Sequence, residues 1–246
     1  MMTSSQDEHT LCSLLFKTTP HYNTNLQTLL NLINSQKEKS IIVAPEVCLT
    51  GFDYDNFDAA ASFTKEATKA LTEASHNKTV ILTMIEKKED EVFNMAKVFH
   101  HGKVVHKRAK AKLFRLGDEH KYFSEGSSKE IEIVEVDGIK IALLVCFELR
   151  FKELWQQVEG ADIIAIPSWW GVLRTEHFKA LTQALAIMNQ CYVITSDSLN
   201  DECSKMSAII TPQGEVSQNG ENNALCISYK HKELKLMRRY LDVGIH

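Results

Sequence analysis

Apolar positions along this chain fall into two alternating patterns. Short apolar runs, such as TLCSLLF, SIIVAPE and TVILTMIEK, are typical of buried strands. Between such runs lie longer segments in which apolar residues recur every three or four positions, as Leu26, Leu29, Leu30 and Ile33 do, and this spacing predicts amphipathic helices. Strands that alternate with helices predict a fold of the α/β class.

Other segments place two strand patterns on either side of a turn. A turn at Gly102 joins VFNMAKVFH to HGKVVHKRAKAKLF, and a turn at Asp137 and Gly138 divides EIEIVEVDGIKIALLVCF. A further hairpin is predicted between SAIITPQGEV and NALCISYK, with its turn around Gly214 to Gly220. Hairpins mixed with separate helices favour an α+β type of architecture, in which helices cover a two-layer sheet, over a purely parallel sheet.

Length and composition fit one folded domain. The 246 residues are 44% hydrophobic and 24% charged, which is close to the average for globular proteins. No linker, internal repeat or low-complexity segment interrupts the chain, so we predict a single domain over residues 1–246. The tail ELKLMRRYLDVGIH is polar and is predicted to be extended.

The charge pattern argues against two classes of partner. A net charge of −4 comes from 28 basic and 32 acidic residues spread along the chain, so neither nucleic acid nor an anionic membrane is expected to bind. No apolar run approaches the roughly 20 residues of a membrane-spanning helix. The polar start MMTSSQDEHT lacks the features of a secretory signal, and we expect a cytoplasmic location.

The cysteines lie far apart in the sequence and mostly within apolar runs. They form no CxxC pair, and no group of His and Cys has the spacing of zinc ligands, so neither a metal site nor a disulfide framework is expected. Reduced thiols in a cytosol are predicted, with one possible nucleophile, Cys146, and five residues that serve packing. The six are Cys12, Cys48, Cys146, Cys191, Cys203 and Cys226.

Three side chains capable of chemistry lie at or near the ends of apolar strand patterns. Glu46 follows IIVAP, Lys110 lies within HKRAKAKLF, and Cys146 follows IALLV. Each has an ordinary structural explanation on its own, because a cysteine that ends a strand usually serves packing and single Glu and Lys residues are usually solvated. The choice between structure and catalysis depends on the sequence around all three.

That surrounding sequence resembles the motifs of the nitrilase, or carbon–nitrogen hydrolase, superfamily. PEVCLTGF is similar to the family motif that carries a glutamate, and CFELRF is similar to the motif that carries a cysteine. KAKLF is similar to the lysine motif, with Lys112 at a position that is often histidine, so Lys110 inherits the lysine role. GDEHKYFSEG resembles the segment with a second glutamate, here Glu119. Within the superfamily, the segments LFRLGDEH and CFELRF resemble the omega-amidase-like branch most.

The resemblance implies a particular architecture and assembly. It implies a four-layer α-β-β-α sandwich completed by association of chains, as a homodimer or a higher homo-oligomer. The tail from about residue 233 onward would then contact the partner subunit. Neither a metal nor an organic cofactor is implied.

The resemblance also implies a role for each reactive side chain. Cys146 would attack the substrate carbonyl and form a thioester. Glu46 would take the thiol proton and deliver it to the departing nitrogen. Lys110 and the backbone N–H of Phe147 would stabilise the oxyanion of the tetrahedral intermediate. Glu119 would support the buried Lys110 ammonium or would be a solvated loop residue.

Several neighbouring residues are candidates for the walls of the pocket. Trp169, Trp170 and Tyr54 could line the substrate site, although adjacent aromatic residues are as often simple packing. Glu148 and Arg150 are expected to pair with each other structurally near the cysteine rather than to react.

The expected enzyme is an amidase-type carbon–nitrogen hydrolase that acts on a small amide or carbamoyl compound and releases ammonia. The family also contains enzymes for nitriles, aliphatic amides, omega-amides of dicarboxylates and N-carbamoyl amino acids, and three catalytic residues cannot distinguish these substrates. A catalytically silent binding or regulatory protein is one rival, although all three residues are present. A thiol redox sensor is another, but the sequence places no resolving cysteine near Cys146.

Overall fold

The computed structural model describes residues 8–218 and 222–245. The described residues form twelve strands and five α-helices. The helices are α1 (Tyr22–Asn34), α2 (Phe57–Ala74), α3 (Lys152–Gln157), α4 (Thr175–Met188) and α5 (His231–Tyr240). The strands are β1 (Thr10–Leu14), β2 (Ser40–Val43), β3 (Thr79–Lys88), β4 (Glu91–His100), β5 (Lys103–Ala109), β6 (Val134–Val136), β7 (Ile139–Leu143), β8 (Ile163–Pro167), β9 (Tyr192–Ser196), β10 (Ala208–Ile210), β11 (Val216–Gln218) and β12 (Ala224–Ser228).

The strands form two mixed sheets of six strands each. Sheet 1 has the order β12-β1-β2-β3-β4-β5, and sheet 2 has the order β11-β10-β9-β8-β7-β6. The central strands β1, β2 and β3 are parallel, as are β7, β8 and β9, whereas the outer strands pair antiparallel. Parallel strands need a crossover connection, which explains why helices separate them in the sequence.

The two sheets pack face to face and carry helices on their outer faces. In β2, which is entirely buried, Ile41 belongs to the core between the sheets, whereas Ile42 belongs to the core under α1 and α2. This alternation follows from the two-residue period of a strand, and an all-apolar run results because both faces are covered. On the far side, Phe178 and Leu185 of α4 pack against sheet 2. The predicted α-β-β-α sandwich is therefore confirmed.

The carboxyl ends of the parallel strands determine where the candidate residues lie. Glu46 follows β2, Cys146 follows β7, and Trp169 follows β8. Side chains in loops at this edge of open α/β sheets commonly line a crevice. The predicted hairpins at Gly102 and at Asp137 are also present, as the β4–β5 and β6–β7 pairs.

The third predicted hairpin is wrong. Strand β10 turns at Gly214 and pairs with β11, not with the NALCISYK segment. That segment forms β12, which pairs antiparallel with β1 at the edge of the other sheet. Gly220 lies outside the described residues. The strand pattern of the sequence was correct, but pattern alone does not specify a partner strand.

The tail is also not extended, as the sequence suggested, but forms helix α5. Its Leu234 is buried, and its Arg238 donates hydrogen bonds to the Ala161 carbonyl oxygen at 2.6 Å and to Asp162 Oδ1 at 3.3 Å. These contacts with the segment before β8 stabilise the helix, and they cannot be seen in its own sequence.

One pair of cysteines contradicts the prediction of reduced thiols. Cys12 and Cys226 face each other directly in the β1–β12 pair, with their Cα atoms 4.3 Å apart, and they form a disulfide. Facing positions on antiparallel strands come this close, but a separation of 214 residues hides the pairing in the sequence. The other four cysteines are free and buried.

Candidate active site

The backbone has a positive φ angle at the candidate nucleophile and directly after the candidate base. Cys146 has a φ of +44°, and Val47, directly after Glu46, has a φ of +39°. Positive φ is uncommon for residues other than glycine and is a true outlier for a β-branched valine. Such conformations cost about 1–3 kcal/mol each and concentrate at functional sites. At Cys146 the left-handed residue starts a 3₁₀ turn, so the thiol sits at a sharp bend between β7 and that turn.

Glu46, Lys110 and Glu119 form one buried charged group. The Lys110 ammonium donates to Glu46 Oε1 at 2.8 Å and to Glu119 Oε1 at 2.9 Å, and none of the three side chains is more than 6% exposed. The Cys146 thiol adjoins the group, since its interaction with Glu46 is among the causes that lower the pKa of that carboxyl. The predicted lysine is therefore the one that the fold brings to the cysteine, and the second glutamate is beside it.

Burial and charge set the protonation of this group. Burial raises the pKa of Glu46, and the neighbouring Lys110 ammonium opposes that rise. Burial likewise raises the pKa of the Cys146 thiol, as does the Glu46 carboxylate. Burial alone would lower the pKa of Lys110, but the carboxylates of Glu46 and Glu119 raise it well above its ordinary value. A neutral thiol thus lies next to a carboxylate that can accept its proton, with a permanent cation beside both.

Further contacts fix the Glu46 carboxylate, and one of them comes from Asn94, which the sequence did not indicate as functional. Asn94 Nδ2 donates to Glu46 Oε1 at 2.8 Å, and the backbone N–H of Trp169 donates to Glu46 Oε2 at 3.1 Å. Asn94 also accepts, through its backbone carbonyl, a hydrogen bond from the Lys110 N–H at 2.8 Å. An asparagine within the apolar strand pattern VFNMAKVF was the available signal.

Glu148 joins the cysteine turn to the lysine segment. Its carboxylate accepts hydrogen bonds from the Val145 N–H at 2.7 Å, from the Ala111 N–H at 2.6 Å and from both terminal nitrogens of Arg108. The predicted pair of Glu148 with Arg150 is wrong, because Glu148 pairs with Arg108. Arg108 comes from β5, inside the sandwich and almost fully buried, so the pair is an internal ion pair that motif spacing could not show.

Arg150 instead belongs to the wall beside Cys146. Its guanidinium lies 4.9 Å from the centre of the Trp170 ring and contacts His177 Nδ1 at 3.1 Å. Trp170 itself is only 3% exposed and stacks on Phe178, so its ring is a fixed surface against which the Arg150 guanidinium packs. Arg150, Cys146, Phe147 and Trp170 all line one small cavity.

A larger cavity of about 410 Å³ adjoins that one. The two share Phe114, Trp169, Gly171 and Arg174 in their walls. The wall of the larger cavity also includes Tyr54, Glu119 and Phe52.

The remaining predicted pocket residues lie at or beside these cavities. Trp169 packs edge-on against Phe52, and Tyr54 stacks on Tyr122 with ring centres 4.0 Å apart. Phe147 packs against Phe114 at 5.1 Å, and its backbone N–H follows the nucleophile at the start of the turn, where an amide has no intrahelical acceptor. A surface groove of about 870 Å³ near α2 is larger but contains none of the reactive group, so size does not locate the site.

Asp197 holds the tryptophan loop in place and gives a prediction about pH. Its carboxylate accepts hydrogen bonds from the Trp170 N–H at 2.9 Å and from the Ser204 hydroxyl, and burial raises its pKa to about 7. The folded protein therefore holds this proton more tightly than the unfolded chain, so ionisation lowers stability as pH rises from about 4 to about 7. We expect Asp197→Asn to remove this loss, up to about 4 kcal/mol, from the pH dependence of the free energy of unfolding. Urea denaturation at a series of pH values measures it, and an unchanged slope between pH 4 and 7 would contradict the assignment.

Comparison with known proteins identifies the family of the chain and agrees with its fold. A family model described as carbon–nitrogen hydrolase matches residues 15–240. A 2-oxoglutaramate amidase of Bacillus subtilis is 32% identical over 195 residues, which cover 75% of this chain and 74% of that protein. Omega-amidase YafV of Escherichia coli K12 is 30% identical and covers 72% and 71%. The crystal structure of Nit3 from Saccharomyces cerevisiae, a member of branch 10 of the nitrilase superfamily, superposes with a TM-score of 0.83 at 20% identity, covering 96% of this chain and 94% of that chain.

The chain thus belongs to the carbon–nitrogen hydrolase family. The predicted class of enzyme, a carbon–nitrogen hydrolase of the amidase type, is confirmed, and relatives named omega-amidase and 2-oxoglutaramate amidase bear out the predicted resemblance to the omega-amidase-like branch. None of the helices that the structure describes is long and apolar enough to cross a bilayer.

Proposed function

We propose that this protein hydrolyses the terminal amide of a small carboxylate-bearing substrate, an omega-amide of a dicarboxylate, through a Cys146 thioester and with release of ammonia. The observation that supports it most is the convergence of Glu46, Lys110 and Cys146 beneath a cavity whose walls carry two guanidinium groups. The relatives named omega-amidase and 2-oxoglutaramate amidase support the same substrate class.

The protonation of the buried group suits a covalent route. Glu46 takes the proton of the Cys146 thiol as sulfur attacks the amide carbon, because the thiol is neutral before attack. The same proton then goes from Glu46 to the nitrogen as the carbon–nitrogen bond breaks, and ammonia leaves. In the second half, Glu46 takes a proton from water as water attacks the thioester, and the proton returns to sulfur as the carbon–sulfur bond breaks.

The oxyanion of both tetrahedral intermediates needs donors that are in place before the reaction. We assign this role to Lys110 and to the backbone N–H of Phe147. The Lys110 ammonium is already held by Glu46 and Glu119 and does not have to move into position. One such donor is typically worth about 2.7–4 kcal/mol of transition-state stabilisation.

The two guanidinium groups favour a substrate with a carboxylate. Arg150 and Arg174 are close enough that Arg174, after burial, is a cause of the lowered pKa of Arg150. Within the described part of the chain, neither guanidinium lies within 4 Å of a carboxylate. Two neighbouring cations without an acidic partner are an unfavourable arrangement that an anionic substrate relieves, and guanidinium groups bind carboxylates with two parallel hydrogen bonds.

The Arg174 side chain lies against the backbone at Gly171. A Cβ at position 171 would meet the Arg174 guanidinium at 2.6 Å, so the absence of a side chain there allows the arginine to lie between the two cavities. Its guanidinium also lies 5.1 Å from the centre of the Phe114 ring. This packing holds the Arg174 guanidinium between the larger cavity and Cys146.

An ammonia-release screen tests the proposed function. The panel holds 2-oxoglutaramate and glutaramate, a neutral amide of the same chain length, an N-carbamoyl amino acid and a simple nitrile. We expect kcat/KM to be highest for the two omega-amides. Preference for the N-carbamoyl compound would indicate a carbamoyl hydrolase on the same site, and no ammonia from any member would favour a silent binding protein.

Removal of the Arg174 charge should change substrate preference rather than chemistry. We expect Arg174→Met to raise KM for glutaramate about 10- to 100-fold, since a charge-assisted hydrogen bond is worth about 1.5–3 kcal/mol, and to leave the neutral amide of equal length nearly unaffected. Steady-state kinetics on the two substrates measure the difference. The matched control is Arg115→Met, because Arg115 is exposed in the neighbouring loop. Equal losses on both substrates would show that Arg174 has a structural role only.

We further propose the homodimer that the family resemblance implies, with the tail as part of the interface. Large apolar side chains of this region are exposed, including Leu236 at 48% and Tyr240 at 77%, and Met188 at the end of α4 is exposed at 65%. A hydrogen bond from Gln190 Nε2 to the Leu241 carbonyl oxygen joins the tail to the segment after α4. Such a patch is typical of a protein interface.

Disruption of this patch should dissociate the dimer. We expect Tyr240→Asp to shift the protein from dimer to monomer in size-exclusion chromatography with light scattering, because buried tyrosines contribute strongly to interfaces. Val105→Asp, on exposed β5, serves as the matched control and should not change the mass. A Tyr240→Asp protein that keeps the mass of the wild type would place the interface elsewhere. The cytoplasmic location stays a prediction, and the Cys12–Cys226 disulfide is less usual in that compartment.

A further inference from the structure

Two hairpin turns, one from each sheet, meet at the edge of the sandwich opposite the cysteine. The β4–β5 turn carries His101 next to His100, and the β6–β7 turn carries Asp137. His100 Nε2 lies 3.4 Å and His101 Nε2 3.2 Å from the same oxygen, Oδ1 of Asp137. His101 and Asp137 both have positive φ, 47° and 51°, so each turn aims its side chain at the other turn through a backbone conformation that these residue types tolerate.

The second nitrogen of each imidazole is already occupied. His101 Nδ1 lies 3.0 Å from the backbone carbonyl oxygen of His76, which can only accept, so Nδ1 is the protonated nitrogen of the neutral ring and Nε2 then offers the lone pair to a cation. His100 Nδ1 lies 3.0 Å from the Thr79 hydroxyl. Histidines that bind metals characteristically anchor the other ring nitrogen to a carbonyl or hydroxyl group in this way.

The spacing of the three atoms fits a cation better than direct hydrogen bonds. Both Nε2···Oδ1 distances exceed the usual 2.7–3.2 Å range of an N–H···O bond or lie at its upper end. Two ligands at about 2.0–2.1 Å from a tetrahedral ion are about 3.3 Å apart. All three ligand atoms lie within 4.8 Å of one another.

We propose that His100, His101 and Asp137 form a binding site for a divalent transition-metal cation, Zn²⁺ by preference, with water at the fourth position. Two imidazoles and one carboxylate match the ligand preference of zinc, and three protein ligands leave an open position. The site faces a surface depression of about 430 Å³, which gives an ion and its water access from solvent.

Neighbouring residues support the carboxylate. His9 Nε2 lies 3.4 Å from Oδ2 of Asp137, the oxygen that the other two histidines do not approach. Ligating carboxylates are commonly held by such an outer contact. The ammonium of Lys39, which lines the same depression, pairs with Glu8.

The site is distinct from the hydrolytic centre. Asp137 precedes β7 and Cys146 follows it, so the length of that strand separates them. A bound ion would join β4 of sheet 1 to the β6–β7 turn of sheet 2, and its expected effect is on stability rather than on turnover. No zinc signature is visible in the sequence because the proposed ligands are split between 100–101 and 137.

Titration of the full chain, without a histidine tag, with Zn²⁺ against a chromophoric chelator tests the proposal. The Cys146→Ala background removes the one reactive thiol as a competing ligand. We expect one Zn²⁺ per chain, a higher thermal midpoint with Zn²⁺, and intense visible absorption with Co²⁺, as tetrahedral coordination produces. Asp137→Asn and His101→Asn should each weaken binding more than about tenfold, and Thr79→Val, which removes only the anchor of His100, by about 10- to 100-fold.

His21→Asn provides the matched control, because His21 is an exposed histidine away from the two turns. It should bind Zn²⁺ as the parent does. The proposal is overturned if the parent binds no more Zn²⁺ than Asp137→Asn does, or if binding persists in the variants. In the first case the three histidines and Asp137 are an ion-pair cluster only. Thr79→Val keeps the test decisive if a turn variant fails to fold, since it leaves both turns unchanged.

Discussion

Replacement of Cys146 by alanine is expected to abolish ammonia release from every amide that the protein accepts. The proposed route has one covalent nucleophile, and removal of the nucleophile of a catalytic triad typically lowers kcat by about 10⁴-fold or more. The fold should survive, because Cys146 is small and its neighbours Glu46 and Lys110 keep their mutual contact. Ammonia assays and circular dichroism measure the two quantities.

A second cysteine provides the control for this experiment. Cys191 is free and fully buried at the amino end of β9, whereas the reactive group lies at the carboxyl ends of the strands. Cys191→Ala should therefore lose some stability, as deletion of a buried side chain does, but should keep its turnover. Residual turnover by Cys146→Ala well above the uncatalysed rate would end the thioester mechanism.

Lys110→Met is expected to lower both activity and stability. Loss of one oxyanion donor costs about 10²- to 10³-fold in kcat. In addition, the substitution leaves Glu46 and Glu119 buried side by side without a cation, and loss of one partner of a buried ion pair costs about 3–5 kcal/mol. Kinetics on glutaramate and urea denaturation measure the two effects separately.

Lys112→Met is the matched control, two residues further along the same segment. The Lys112 ammonium is 3.6 Å from Glu153, and both side chains are partly exposed. Pairs of this kind contribute about 0–1 kcal/mol, so this variant should be close to the wild type in stability and kcat. Equal losses in the two variants would mean that Lys110 is not the catalytic lysine.

The sequence was sufficient to name the three candidate residues that the structure brings together, but not their surroundings. Glu46, Lys110 and Cys146 lie in local motifs, and each motif is one strand end with its following turn, so short-range pattern carries the information. Asn94 and Arg108 have no motif. Their importance depends on which strands are neighbours, because Asn94 reaches Glu46 and Arg108 reaches Glu148 only after β4 and β5 have joined the sheet.

The same limit explains the errors in the fold. Hairpins whose two strands are adjacent in the sequence, such as β4–β5, were predicted correctly, since a turn and two neighbouring strand patterns determine them. Strand β12 was assigned to the wrong partner because its true neighbour, β1, lies about two hundred residues away, and the Cys12–Cys226 bond was missed for the same reason. Helix α5 was taken for an extended tail, and its docking contacts, such as that of Arg238 with Asp162, join residues far apart in the sequence.

Glu148 has a consequence for how such an enzyme can change its substrate. Its carboxylate accepts hydrogen bonds from the backbone N–H groups of Ala111 and Val145, next to Lys110 and Cys146, so the distance between those two side chains depends on the interior of the sandwich. The guanidinium of Arg174, in contrast, extends from a surface loop after β8. Exchange of that loop could change which acyl chain fits the cavity, while the spacing of Glu46, Lys110 and Cys146 stays the same. Specificity could change in this way without a loss of rate.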